Sequence, residues 1–239
     1  MAPIFRQNYI LSQADYFMRI KLLFLATLFP ILTFGQLTGA WLLNNNANDA
    51  TGAYNLTNNN VTFGAGMESL SGIFNSSNSG LSGTISSGLS GDWTIMAWIN
   101  PTESSSSNVY TIAASSVPSY GNYWMSMQIW QSKITIGMYN GGAGNPLSQS
   151  STVTNGVWYH CTGVRTGGYI YLYVNGVLVD SDSDLSLSVP SYSAWGIGIQ
   201  VNGSPRRFVG QIDKVMLFSE ALSAGKIKNC YILDKGFFQ

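Results

Sequence analysis

A chain of 239 residues holds one large domain or two small ones, and this one is only 9% charged, with 11 basic residues, 11 acidic residues and one histidine. A net charge of zero excludes a typical basic nucleic-acid binder. A content of 45% hydrophobic and 13% aromatic residues excludes a charge-driven disordered chain.

The first segment reads as a leader rather than as part of a fold. Leu22 to Phe34 is an apolar run broken only by Thr27, Pro30 and Thr33, and the basic stretch Met18-Arg19-Ile20-Lys21 precedes it. A basic start, a short apolar run and a small residue at its end make the pattern of a secretory signal. Cleavage is expected between Gly35 and Gln36, and Met18 offers an alternative start. An uncleaved N-terminal anchor is the other reading of the same run, although it falls short of the roughly 20 apolar residues that span a bilayer comfortably. The expected organisation is therefore a leader over 1–35 and one domain over 36–239, secreted and without a membrane span after cleavage. Without residues 1–35 the charge balance is near −2, so electrostatic steering is weak.

Beyond residue 40 the pattern has period two. The Ser/Gly-rich stretch 71–92 reads as a loop and an edge strand, punctuated by Ile73, Phe74, Leu81, Ile85 and Leu89. Thr94 to Ile99, Tyr123 to Trp130, Lys133 to Tyr139, Trp158 to Val164, Tyr169 to Val174, Val177 to Val179 and Arg207 to Phe218 read as strands. Short alternating strands bounded by Gly, Asn, Ser and Pro predict an all-β antiparallel sandwich or barrel. Asn175-Gly176 between two such runs predicts a tight hairpin, because both residues accept positive φ. Only Ser219 to Asp234 reads as a helix, with Ser219 as its cap and Glu220 at its positive end.

Four blocks in order carry a resemblance. They are Ala40-Trp41-Leu42-Leu43 with Asn48-Asp49-Ala50-Thr51-Gly52, then Asp92 to Pro101 (DWTIMAWINP). Next come Gly156 to His160 (GVWYH) with Tyr171 to Gly176 (YLYVNG), and last Phe208 to Val215 (FVGQIDKV) with Ala221-Leu222-Ser223. The chain resembles the concanavalin A-like lectin/glucanase sandwiches, and within them the laminin-G-like and pentraxin-like group. The resemblance implies a jelly roll of two antiparallel sheets over residues 40–232 and does not fix a function. It also places Trp41, Trp93, Trp98 and Trp158 in structural strand positions.

Catalysis is not expected. Glycosidases need two carboxylates flanking the scissile bond, and the E-x-D-x-x-E strand motif of related glucanases is absent. Asp180, Asp182 and Asp184 alternate, as a one-faced acid row would, but read better as a solvated turn. His160, the single histidine, lies between Tyr159 and Cys161 in an apolar strand and reads as a hydrogen-bonded core residue.

Calcium is a separate matter. The resemblance suggests a structural calcium where the first and last strands meet, held by Asp49 and Asp213, with Asn44, Asn46 and Asn48 nearby. The stretch Gln200 to Arg207 has no acid, which counts against a pentraxin-type calcium-dependent ligand site. Cys161 and Cys230 form either a disulfide, permitted by export, or two separate buried thiols.

Sugar binding needs aromatic faces and amide or hydroxyl groups. In the run Tyr123 to Trp130, Trp124, Ser126, Gln128 and Trp130 share one face while Tyr123, Met125, Met127 and Ile129 share the other. Trp124, Gln128, Trp130 and Tyr139 are the candidate glycan contacts; Tyr192 and Trp195 are further aromatics outside the four blocks. The expectation is a secreted, non-catalytic carbohydrate-binding or adhesion module whose partner is a glycan or cell-surface ligand, with no nucleic-acid partner. The rival is a surface, fibre or virion subunit that self-assembles through the same sandwich. N-x-S/T triplets at Asn55, Asn60, Asn75 and Asn202 are expected in surface loops.

Overall fold

The computed structural model describes residues 37–67, 69–75, 78–89, 91–116, 123–140, 147–183, 192–201 and 206–236. One sheet runs β13 (Val177–Ser183), β12 (Tyr169–Val174), β11 (Tyr159–Thr166), β6 (Trp93–Pro101), β15 (Gly210–Phe218), β4 (Leu70–Phe74) and β3 (Thr62–Ala65). An eighth strand, β1 (Leu37–Trp41), pairs with the half of β15 that β4 leaves uncovered. The other sheet runs β10 (Leu147–Thr152), β9 (Lys133–Asn140), β8 (Tyr123–Trp130), β7 (Val109–Ser116), β14 (Tyr192–Ile197), β5 (Gly80–Leu89) and β2 (Thr57–Asn59). Every pairing between these strands is antiparallel. The two sheets form the jelly-roll sandwich that the resemblance implies.

Alternation decides which side chains fill the space between the sheets. Ile95, Ala97 and Ile99 of β6 face Met125, Met127 and Ile129 of β8 and Ile134 and Ile136 of β9 in one buried cluster. Trp41 stacks on Trp195 at 5.6 Å inside it. The three alternate residues of β6 face the other way and are buried too, because a helix, α1 (Ala224–Gly236), covers Trp98: Tyr231 stacks on its indole at 5.7 Å. Asp234 fixes that contact, accepting from Trp98 Nε1 at 2.9 Å and from Lys214 Nζ at 3.0 Å.

Two expectations change. Residues 80–89 form a ten-residue strand with neighbours on both sides rather than an edge. Leu81, Ile85 and Leu89 are its core-facing residues, and Gly80 lets the strand approach Ile199, whose side chain would lie 2.7 Å from any added Cβ. The helix begins four residues after Glu220. Ser223, not Ser219, is the cap, accepting the Lys226 N–H on its hydroxyl while Ile227 N–H closes the first turn on its carbonyl. The preceding residues are held instead by the sheet: Thr94 Oγ1 donates to Glu220 O and accepts from Leu222 N–H. Trp195, one of the aromatics outside the four blocks, is a core residue.

The Asn175-Gly176 hairpin forms as expected, with φ of 52° and 75°, and Asn175 Oδ1 accepts the His160 N–H at 3.0 Å. Asn55, Asn60 and Asn75 are exposed; Asn202 lies outside the described residues.

Candidate functional site

The face of the seven-stranded sheet turned away from the core holds the glycan candidates. Register fixes them as a grid across β7, β8 and β9. Ser116 pairs with Trp124 and Trp124 with Tyr139; Ala114 pairs with Ser126 and Ser126 with Gly137. Thr111 pairs with Gln128 and Gln128 with Thr135; Val109 pairs with Trp130 and Trp130 with Lys133. Gly196 of β14 extends the small-residue row beside Ala114. The grid therefore has a low row of Gly, Ala and Ser between a row carrying Tyr139 and a polar row centred on Gln128.

Gln128, Trp130 and Tyr139 thus share one face, as the alternation predicts. The backbone of Trp124 belongs to the same grid, but its side chain lies outside the described residues. Trp130 and Tyr139 are half-buried, while Gln128 is 5% exposed. Gln128 Oε1 accepts from Ser126 Oγ at 2.9 Å, and no described residue takes its amide hydrogens. Thr111 Oγ1 and Ser116 Oγ on the same face are buried and unpartnered. Polar atoms in that state are a small minority in folded proteins and mark places where water or a ligand completes the bonding. Thr111 and Ser116 escape sequence reading because V-Y-T-I-A-A-S-S has no clean alternation; a register shift between Thr111 and Ala113 breaks it.

The two carboxylates expected to hold calcium do other work. Asp49 is buried and takes four donors: Ala40 N–H at 2.8 Å and Thr51 N–H at 3.0 Å on Oδ1, Thr51 Oγ1 at 2.5 Å and Tyr54 N–H at 2.9 Å on Oδ2. Burial pushes its pKa up, but these bonds outweigh burial and hold the carboxyl below its ordinary value. An ionised carboxylate offers about four lone-pair positions, so Asp49 has none left for a cation. Asp213 is buried opposite Trp98, and its Oδ2 accepts from Met67 N–H at 3.4 Å. Among the described residues no three His, Cys, Asp or Glu gather as a metal site. The Asp49 carboxylate, with its lone pairs filled, does not fit the role of a calcium ligand.

The cysteines are both free thiols. Cys161 points into the core and donates to Ala97 O at 3.2 Å, whereas Cys230 rides on α1 on the opposite side of the sheet. Burial pushes both thiols up, Cys230 to about 11. His160 is 1% exposed, and its Nδ1 has no partner, contrary to the expected hydrogen-bonded state. It packs against Trp98 at 5.2 Å and Tyr231 at 6.0 Å, and burial lowers its pKa to about 4. Asp180 and Asp182 are strand residues of β13 rather than a solvated turn. Their carboxylates accept the N–H groups of Gln149 and Leu147 in β10, at 2.8 and 2.9 Å. Asp184 lies outside the described residues.

No curated protein matches the sequence. Solved structures do match. Domain 4 of AbnA, an extracellular GH43 arabinanase from Geobacillus stearothermophilus, in complex with arabinotriose, superposes with a TM-score of 0.65 at 20% identity, covering 81% of this chain and 97% of that one. The receptor-binding domain of botulinum neurotoxin D gives 0.67 at 19% identity, with 82% and 52% covered. The serotype D ligand-binding domain in complex with N-acetylneuraminic acid gives 0.65 at 19% identity, with 82% and 50% covered. This chain spans about half the length of those two toxin domains, and identities this low show the fold alone. The family model described as the concanavalin A-like lectin/glucanases superfamily matches residues 74–228. That match extends over well more than half of the sequence, and the chain belongs to this superfamily.

Proposed function

We propose that the chain is a secreted, non-catalytic carbohydrate-binding module. Its site is the grid on β7, β8 and β9. The observation that carries this reading is the unmet hydrogen-bonding capacity of Gln128 on the same face as the half-buried rings of Trp130 and Tyr139. A sugar presents an apolar C–H face and equatorial hydroxyls, and aromatic faces with a few polar groups are what a small-ligand site supplies. Trp130, Tyr139 and Trp124 would stack, and the Gln128 amide would donate to a sugar hydroxyl. The ligands of two structural relatives, arabinotriose and N-acetylneuraminic acid, support a saccharide as the ligand class. The apolar run Leu22 to Phe34 behind Arg19 and Lys21 would direct export.

Binding of the chain to a glycan array tests this reading. Signal should concentrate on one glycan class, fall about tenfold or more in Trp130→Ala and Gln128→Ala, and be the same with calcium or chelator. A blank array, or a signal unchanged by both substitutions, overturns it. A blank array together with large particles in sedimentation would favour the self-assembling subunit.

A further inference from the structure

The eight-stranded sheet carries a second aromatic surface. In β12, Ile170 and Leu172 face the core and are fully buried, so Tyr169, Tyr171 and Tyr173 face outward. Their exposure rises along the strand, from 9% at Tyr173 through a half-buried Tyr171 to 41% at Tyr169. The rings of Tyr169 and Tyr171 lie 6.1 Å apart and are tilted by 36°. Their cross-strand neighbours carry no charged heads: Ser183 and Ser181 pair with them from β13, while Thr166 pairs with Tyr169 and the buried Val164 with Tyr171 from β11. Thr166 Oγ1 is tied to Asp92 at 2.7 Å.

We propose that Tyr169 and Tyr171 form a second glycan-binding platform, suited to a single extended chain of a neutral polysaccharide. Two rings in succession along one strand, with a serine beside each on β13 and Thr166 beside Tyr169 on β11, match the faces and edges of consecutive sugar units. The absence of a cationic head among these flanking residues selects a neutral chain over an acidic one. The 36° between the ring planes means that they share no single flat surface, so the platform fits a twisted chain in solution and not the flat face of a crystal. The platform lies on a different sheet from the Trp130 and Tyr139 site and stands on separate residues.

The test is affinity electrophoresis of the full chain in gels containing soluble xylan, arabinan or hydroxyethyl cellulose, with depletion by microcrystalline cellulose as the contrast. At least one soluble polysaccharide should retard the protein, and microcrystalline cellulose should not deplete it. Tyr169→Ala combined with Tyr171→Ala should weaken retardation by about tenfold or more, whereas Tyr169→Phe should keep it. Tyr169→Ala alone, at an exposed position, should weaken it while leaving the melting temperature unchanged. Retardation that survives the double substitution, or retardation lost only in Trp130→Ala, overturns the platform. So does preferential depletion by the crystalline form or no retardation by any of the three. Loss in the tyrosine variants with Trp130→Ala unaffected supports the platform even if the first site fails.

Discussion

Lowering the pH from about 7.5 to about 4 obliges the unfolded chain, but not the folded one, to protonate His160. The ring is 1% exposed and packs beside the stacked pair of Trp98 and Tyr231 beneath α1. Burial is the main reason its pKa falls from 6.5 to about 4; Asp234 pulls it up and Lys214 pushes it down. The unfolded chain therefore binds the proton near 6.5 and the folded chain only near 4, so this group's contribution is complete above 6.5 and lost as the pH falls through that window. The gap is worth about 3 kcal/mol. Urea unfolding followed by tryptophan fluorescence, at steps from about pH 7.5 to about pH 4, measures the loss in the wild type and in His160→Gln. Carboxylates contribute to both proteins; the histidine contributes to one. The wild type should lose about 3 kcal/mol more than the variant across the range. Equal losses would refute the reasoning, since they would mean that protonating the ring costs the fold nothing.

Asp49→Ala should lower the melting temperature by about 10 °C, because it strands buried N–H groups worth about 3 kcal/mol together in a domain of this size. Adding a chelator to the wild type should leave the melting temperature unchanged, since the Asp49 lone pairs are already filled; a chelator-induced drop would restore the calcium reading. Thiol titration in denaturant without reductant should find both Cys161 and Cys230, and the native protein should react slowly at Cys161. Finding neither thiol would indicate a bridge.

Much of the sandwich was legible because alternation in β8, β9 and β11 is local, and because Asn175-Gly176 states its turn in two residues. The four motif blocks placed Trp41 and Trp93 in core strand positions and Trp98 on the helix-covered side of β6 for the same reason, whereas Trp158 lies just before β11 and is half-buried rather than a strand residue. What stayed hidden depends on partners far away in sequence. Trp130 and Trp195 look alike in the chain, yet one borders the candidate face and the other stacks on Trp41 in the core. The assignment needs the register of β14 against β5 and β7, which no local pattern carries. Thr111 joins the site only through its pairing with Gln128. Asp49 reads as a metal ligand until its four donors are known. His160 reads as hydrogen-bonded until the helix that covers it is placed.

Asp180 and Asp182 have a consequence for how copies of this chain can meet. β13 and β10 end their respective sheets, and such borders ordinarily invite a foreign strand to add on. Here the amides of Leu147 and Gln149, which that strand would need, are already capped by the two carboxylates. A newcomer would have to evict both anions before forming its first ladder bond with β10. Fibril-like growth by strand addition to β10 is opposed at this corner of the sandwich.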